Sequence, residues 1–213
     1  DGNVSKTVSI WGTLNQDLKI TDSVDLYLGD GAYNGTVMVT GGGVTYAVNM
    51  TVTGAQSPFI GYDDTNGLMI AGTANKLSIG ERDYAASSNV IVTSITATGA
   101  TTENPAKVQL KEVQLGNGGT FSLSVPVTLA GDIVVGPTST LSIAQGGSIA
   151  TAENADLAIL GSIRYNNNDS YSDAIRGAGD VYTDYESKIT PYVNGTEDAA
   201  FTGEIITVTE TSI

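Results

Sequence analysis

The chain's densest run of potential ligands is Asp63-Asp64-Thr65-Asn66-Gly67, where carboxylate and amide oxygens precede a glycine turn. Hard oxygen donors at this density suit a calcium ion. A second oxygen-rich loop runs from Asp169 through Ser170 and Ser172 to Asp173. Asp63, Asp64, Asn66, Asp169 and Asp173 are therefore the candidate Ca2+ ligands. Neither loop carries the full EF-hand spacing with its closing Glu, and Asp and Asn also favour turns for purely local hydrogen-bonding reasons.

Paired carboxylates could also serve glycoside hydrolysis, which needs no histidine. The acids available (Asp22, Asp25, Asp30, Asp63, Asp64, Asp169, Asp173, Asp180 and Asp184) lie mostly in turn contexts. The single tryptophan, Trp11, has no acid close in sequence whose pKa it could raise. Solvated turn acids are the plainer reading. The chain has no His and no Cys, which removes zinc centres, Cys–His pairs and Ser-His-Asp triads, and disulfides with them. The glycine clusters run into strands and not into a Lys-Ser/Thr helix, so no phosphate-binding loop is present. The expectation is a protein that is not an enzyme.

Five Asn-x-Ser/Thr sequons, at Asn3, Asn34, Asn49, Asn168 and Asn194, are candidate glycan acceptors, with Asn34, Asn168 and Asn194 in turn-like surroundings. From Arg164 to Thr202 the chain turns polar and collects Tyr165, Tyr171, Tyr182, Tyr185 and Tyr192. Tyrosines anchor interfaces and sugar rings, so these five are the candidate interface residues; the alternative is a surface excursion capping the fold.

Nine Lys+Arg against 23 Asp+Glu give a net charge of −14 and speak against a nucleic-acid partner. Charged residues make up 15% of the chain, below the ~25% usual for globular domains, and Thr, Ser, Asn and Gly take their place. A charge-poor, hydroxyl-rich surface fits the extracellular space. No apolar run approaches the ~18 residues of a membrane span. The opening Asp1-Gly2-Asn3 leads us to expect a secreted, mature protein whose signal peptide has been removed.

The elements that must position these residues are strands. Apolar and polar residues alternate in Thr7–Trp11, Asp25–Leu28, Thr36–Val39, Thr45–Val52, Lys107–Leu115, Thr120–Val125, Thr140–Ile143 and Glu204–Thr209, with Gly, Asn and Asp between them. Residues 151–160 are the best helix candidate and read equally well as a turn feeding a strand. An all-β fold follows. The leading expectation is a β-sandwich or jelly-roll-like domain over residues 15–213, preceded by an N-terminal donor segment, 1–14. The alternative is a β-solenoid with ~30-residue coils, because apolar-x-apolar-x-Gly recurs at Gly12, Gly41, Gly72, Gly99, Gly131 and Gly161, at intervals of 29, 31, 27, 32 and 30.

Val4, Val8 and Ile10 alternate along that first segment, with Lys6 breaking the apolar face once. Such a strand completes its own sheet or fills a groove in the next subunit, and head-to-tail donation of this kind generates filaments. With its mature-type start, the Val4–Ile10 strand, Thr/Asn/Gly-rich strands, sequons, acidity and lack of Cys, the chain resembles the subunits of secreted microbial surface filaments: archaeal threads, bundling pili and cannula-like tubules. The resemblance implies an extracellular homopolymer assembled by donor-strand complementation, glycosylation, and Ca2+ at subunit contacts in the tubule-forming members. Repulsion between stacked acidic copies would then have to be offset by salt or bound cations. The alternative is an adhesin or carbohydrate-binding module that binds surface glycans through the Tyr-rich 165–192 region.

Overall fold

A computed structural model describes residues 6–29, 31–54, 59–73, 75–79, 82–86, 89–136, 138–144, 146–152, 155, 157–159, 162–165, 175–177, 181–183, 188–189 and 205–207. For the 75–79 and 82–86 strands and for residues beyond Leu157 it describes the course of the backbone. Described residues contain strands and no helix, so none crosses a membrane as a helix. Within 151–160 the chain makes a turn, with Ala155 N–H donating to Ala152 O, and then a strand at Leu157–Ile159.

The first half contains β1 (Lys6–Trp11), β2 (Leu18–Thr21), β3 (Val24–Gly29), β4 (Gly31–Gly41), β5 (Val44–Gly54), β6 (Phe59–Asp63) and β7 (Gly67–Ala71). A hairpin of β8 (Asn75–Ile79) and β9 (Arg82–Ala86) follows, and then β10 (Val90–Thr98). From Val108 the chain repeats a three-strand coil. Its first turn is β11 (Val108–Lys111), β12 (Val113–Leu115) and β13 (Gly119–Leu123), and its second β14 (Pro126–Leu129), β15 (Ile133–Val135) and β16 (Ser139–Ile143). The third is β17 (Ser148–Thr151), β18 (Leu157–Ile159) and β19 (Ser162–Tyr165), and the fourth β20 (Ile175–Gly177), β21 (Val181–Thr183) and β22 (Lys188–Ile189), with β23 (Ile205–Thr207) beyond.

From β11 to β19 each strand pairs in parallel with its counterpart one coil on, so three faces wrap a common core. The first face runs β1-β3-β6-β7-β11-β14-β17-β20. The second carries β12-β15-β18-β21-β23 and the third β13-β16-β19-β22, with β10 feeding both through Val92↔Leu115 and Ile95↔Leu123. Sequence-adjacent strands thus land on different faces, which is the β-solenoid alternative and not the antiparallel Greek key of a jelly roll. The coils are shorter than the glycine spacing suggested. Val108 pairs with Val127, Val127 with Ile149 and Ile149 with Ile175, so successive coils take 19, 22 and 26 residues. Strand-then-glycine marks any corner: Gly72 and Gly131 follow first-face strands, whereas Gly99 follows β10 at the end of the third face. The ~30-residue interval therefore mixed corners of different kinds.

Period-2 alternation explains the core. In a parallel in-register ladder, every inward side chain lies above its equivalent ~4.8 Å away, so the aliphatics form columns. Leu26, Ile60, Ile70, Leu110 and Leu129 make one such column and Leu68, Val108, Val127 and Ile149 another, each at most 2% exposed. Full burial of such a side chain contributes about 1.5–3 kcal/mol.

One coil runs backwards. β4 and β5 pair antiparallel from Gly31↔Gly54 to Gly41↔Val44, and β5 pairs antiparallel with β10. On the first face β6 is antiparallel to both β3 and β7. The coil made of β5 and β6 therefore visits the faces in reverse order, joined to its neighbours by two hairpins. The first turns on Gly42 and Gly43, with φ of 56° and 80°, as a two-residue primed turn demands. The second spans Asp63 to Gly67, with Gly67 at φ 74°. A Cβ at Gly67 would collide with the backbone carbonyl of Lys107. Gly67→Ala should thus lower stability by at least about 1–3 kcal/mol, since left-handed strain and the collision add. A urea midpoint matching wild type would contradict this assignment of the turn.

Candidate functional site

Two features are built for contact. The first is the end of the solenoid formed by β1, the bridge Leu14↔Tyr33 and β2. β1 pairs in parallel with β3, from Lys6↔Val24 to Trp11↔Gly29. Val8 lies opposite Leu26 and Ile10 opposite Leu28, so both occupy inward columns. Yet Val8 is 42% exposed where Leu26 is 1% exposed. Ile10, Leu14, Leu18 and Ile20 are only partly buried. The apolar cross-section is open here because no described coil lies beneath it. The backbone is open too. Lys6 N–H donates to Ser23 O, so by strand alternation Thr7, Ser9 and Trp11 direct their backbone groups to the other edge, which no strand among the described residues pairs with. Trp11, outward on the first face, is 68% exposed.

The second feature is a cavity of ≈ 380 Å3 on the first face where the reversed coil crosses it, lined by Asp22, Ser23, Asp25, Phe59, Tyr62, Asp63, Asp64 and Met69. Antiparallel pairing brings this set together: Tyr27 lies opposite Phe59, and Gly61 opposite Met69. The Tyr27 and Phe59 rings are 5.4 Å apart and tilted at 56°. Phe59 lies across Gly61, where a Cβ would meet its ring and the Asp25 carboxylate. Glycine there makes room for the Phe59 ring. Tyr62 points the other way and packs under Gly41 and Gly42, 6.3 Å from the Tyr46 ring. Burial, then Tyr46 and the charges of Asp64, Asp22 and Asp63, hold its hydroxyl above the usual phenol range.

Past the Asp63–Gly67 turn the same face continues into a hollow of ≈ 130 Å3 lined by Thr65, Asn66, Lys107, Val108, Gln109, Pro126 and Thr128. There Gln109 Nε2 donates to Asn66 Oδ1 at 3.3 Å, and Lys107 Nζ donates to Thr65 O at 3.4 Å.

The candidate calcium loop turns out to be this hairpin. Asp63 Oδ1 accepts from the N–H groups of Thr65 (2.7 Å) and Asn66 (2.6 Å), while Oδ2 accepts from Asn66 Nδ2 (2.8 Å). The carboxylate closes the turn, and among the described residues no three His, Cys, Asp or Glu side chains are placed to hold one metal ion. Asp169 and Asp173 lie outside the described residues.

Asn34 is not in a turn: it lies within β4, and Asn49 within β5, both exposed. Their sequons face each other, Asn34 opposite Thr51 and Thr36 opposite Asn49, and Thr51 Oγ1 donates to Asn34 Oδ1 at 3.3 Å. Asn3, Asn168 and Asn194 fall outside the described residues, as do Val4, Tyr171, Tyr185 and Tyr192. Tyr165 and Tyr182 sit in the ladder, paired with Ile143 and Ala158. Lys6, Val8 and Ile10 are held along their own chain's β3, and the boundary expected at residue 14 falls inside the first coil. Phe59 and Met69 gave no signal in the sequence, because only the reversed coil brings them to Asp25.

No protein-family model, curated protein or solved structure matches this chain.

Burial alone would raise the Asp63 pKa. The backbone and side-chain donors of Asn66, the Thr65 N–H and the charge of Lys107 together outweigh it, and the carboxyl sits below its ordinary value. A depressed folded-state pKa stabilises above the unfolded value and is lost as pH falls through the folded one. Asp63→Ala should therefore lower stability most above about pH 5, and the gap to wild type should narrow below about pH 3. Chemical denaturation across that range measures it; a pH-independent gap would remove the ionic contribution.

Proposed function

We propose that this chain is an extracellular structural protein, the subunit of a surface filament or coat that assembles by β-strand pairing between copies at the β1 edge. The observation that carries this reading is the exposure of Val8, an inward-column residue left uncovered at 42% while its partner Leu26 is buried. A solenoid coil buries its apolar face only against a neighbouring coil, so an open end calls for a cap. Backbone groups of Thr7, Ser9 and Trp11 supply the affinity and the inward side chains the fit. The hydroxyl-rich, acidic surface suits the extracellular setting.

Proline at Ser9 removes an edge N–H and spares the β1–β3 bonds, a placement that edge strands tolerate. Ser9→Pro should keep the strand signature in circular dichroism and abolish assembly seen by light scattering and negative-stain microscopy. Assemblies equal to those of wild type would refute the edge as the contact.

A second reading is favoured by the first-face cavity: a saccharide-binding module. The Phe59 ring offers a stacking surface, and Asp25, Asn66, Gln109 and Thr128 offer hydroxyl partners along one line of the face. The adhesin site then lies at the reversed coil and not in 165–192. Glycan-array binding by wild type should fall about tenfold, or 1.4 kcal/mol, in Phe59→Ala; no binding by either protein counts against this reading.

A further inference from the structure

The open end coil is self-complementary, and we propose that its partner is a second copy of the same end, related by a two-fold axis through Ser9. The proposal rests on the reading that the β1 edge takes another copy, and it specifies how. Antiparallel pairing centred on Ser9 sets Ser9 opposite the partner's Ser9, Thr7 opposite the partner's Trp11 and Val8 opposite the partner's Ile10. Thr7, Ser9 and Trp11 are the residues whose backbone groups face the free edge, so all of them form the hydrogen-bonded pairs of such a ladder. Val8 and Ile10 are the inward pair, and in this register they meet in the closer non-hydrogen-bonded position. A slip by one residue would set inward positions against outward ones.

The chain itself stacks coils this way. On the same face β6 lies antiparallel to β3, with Leu26 opposite Ile60 and both fully buried. A reversed coil therefore closes this cross-section as well as a forward one does. Lys6, which shares the inward row, falls opposite the partner's Gly12. A Cβ at Gly12 would have no neighbour within 4 Å, so the lysine side chain has room to turn outward. The contact is isologous and closes on itself. A filament built from it must alternate this contact with a different one elsewhere on the solenoid.

The protein has no cysteine, so a single introduced thiol reports on this geometry. In Ser9→Cys, paired Cα atoms would lie about 5.5 Å apart, within disulfide range. Copper–phenanthroline oxidation of the full chain should convert most of the variant to a covalent dimer. The rate should be at least about tenfold that of Asn34→Cys, an exposed thiol away from the edge. Thr7→Cys and Trp11→Cys should each stay uncrosslinked alone and link when mixed, which fixes the register even if Ser9→Cys folds poorly. On dilution the emission of Trp11, the single tryptophan, should shift to the red as the pair separates. Wild-type assembly without a Ser9→Cys crosslink, and without the mixed Thr7/Trp11 one, overturns the two-fold and leaves the edge reading standing. A wild type monomeric at every concentration overturns both.

Discussion

A coil of this solenoid cannot bury its own apolar side chains, and the rest of the molecule follows from that constraint. Three short strands enclose a cross-section about one side chain deep, so cover for Leu26 or Val108 comes from the coils on either side. The backbone obeys the same rule, because every N–H and C=O of a strand points along the solenoid axis to its neighbours. Interior coils satisfy both demands, and the columns through Leu68, Val108 and Val127 are dry. The end coil satisfies them on one side alone, and its exposed Val8 and free edge are that deficit made visible.

The same constraint explains why one coil can run backwards without penalty to the core. Inward and outward positions alternate with period two whichever way a strand runs, so β6 presents Ile60 to the column as well as a forward strand would. What reversal needs is two tight turns. They are supplied by Gly42–Gly43 and by the Asp63 carboxylate closing on Thr65 and Asn66. Reversal also brings Phe59, Gly61 and Asp63 beside Asp25 and Met69, side chains that a uniform solenoid would set on different rungs. The first-face cavity is thus a by-product of the change in direction.

The alternation of Thr45–Val52 or Thr140–Ile143 is enough to read strands and inward faces, because period two is a local property, whereas the run Lys107–Leu115 is broken at Glu112 (φ 55°) into β11 and β12 on two faces. The sheet architecture was not legible, since the same alternation serves a sandwich and a solenoid; only pairing partners decide, and these are long-range. Glycines at strand ends gave corners but not which corner, hence the overlong repeat. At Asp63–Gly67 the residue types suit calcium, and the fold uses the Asp63 carboxylate to close a hairpin. Asn34 was read as turn-like from its neighbouring glycine, although Gly35 sits mid-strand where a Cβ would crowd Gln16 O and the Tyr33 hydroxyl. The N-terminal strand was found by its alternation, whereas its own-chain partner β3 and its free edge required the fold.

Nearest-neighbour stabilisation also separates the end coil energetically from the rest. The solenoid strands from β3 to β7 and from β10 to β19 each have a neighbour on both sides and hold the deeply buried residues. Residues 6–21 add one strand's pairing with β3, one bridge, and the pairing of β2 with β4, around side chains that stay half-wet. Such a segment sits at the low end of local stability. A second copy seated on the edge would cover Val8 and Ile10 and satisfy Thr7, Ser9 and Trp11 in one step. Ordering of the first coil and association are then linked, and each raises the other by mass action. The stability of residues 6–21 would rise with protein concentration while that of the interior coils would not, a distinction that follows from the solenoid's one-dimensional energetics alone.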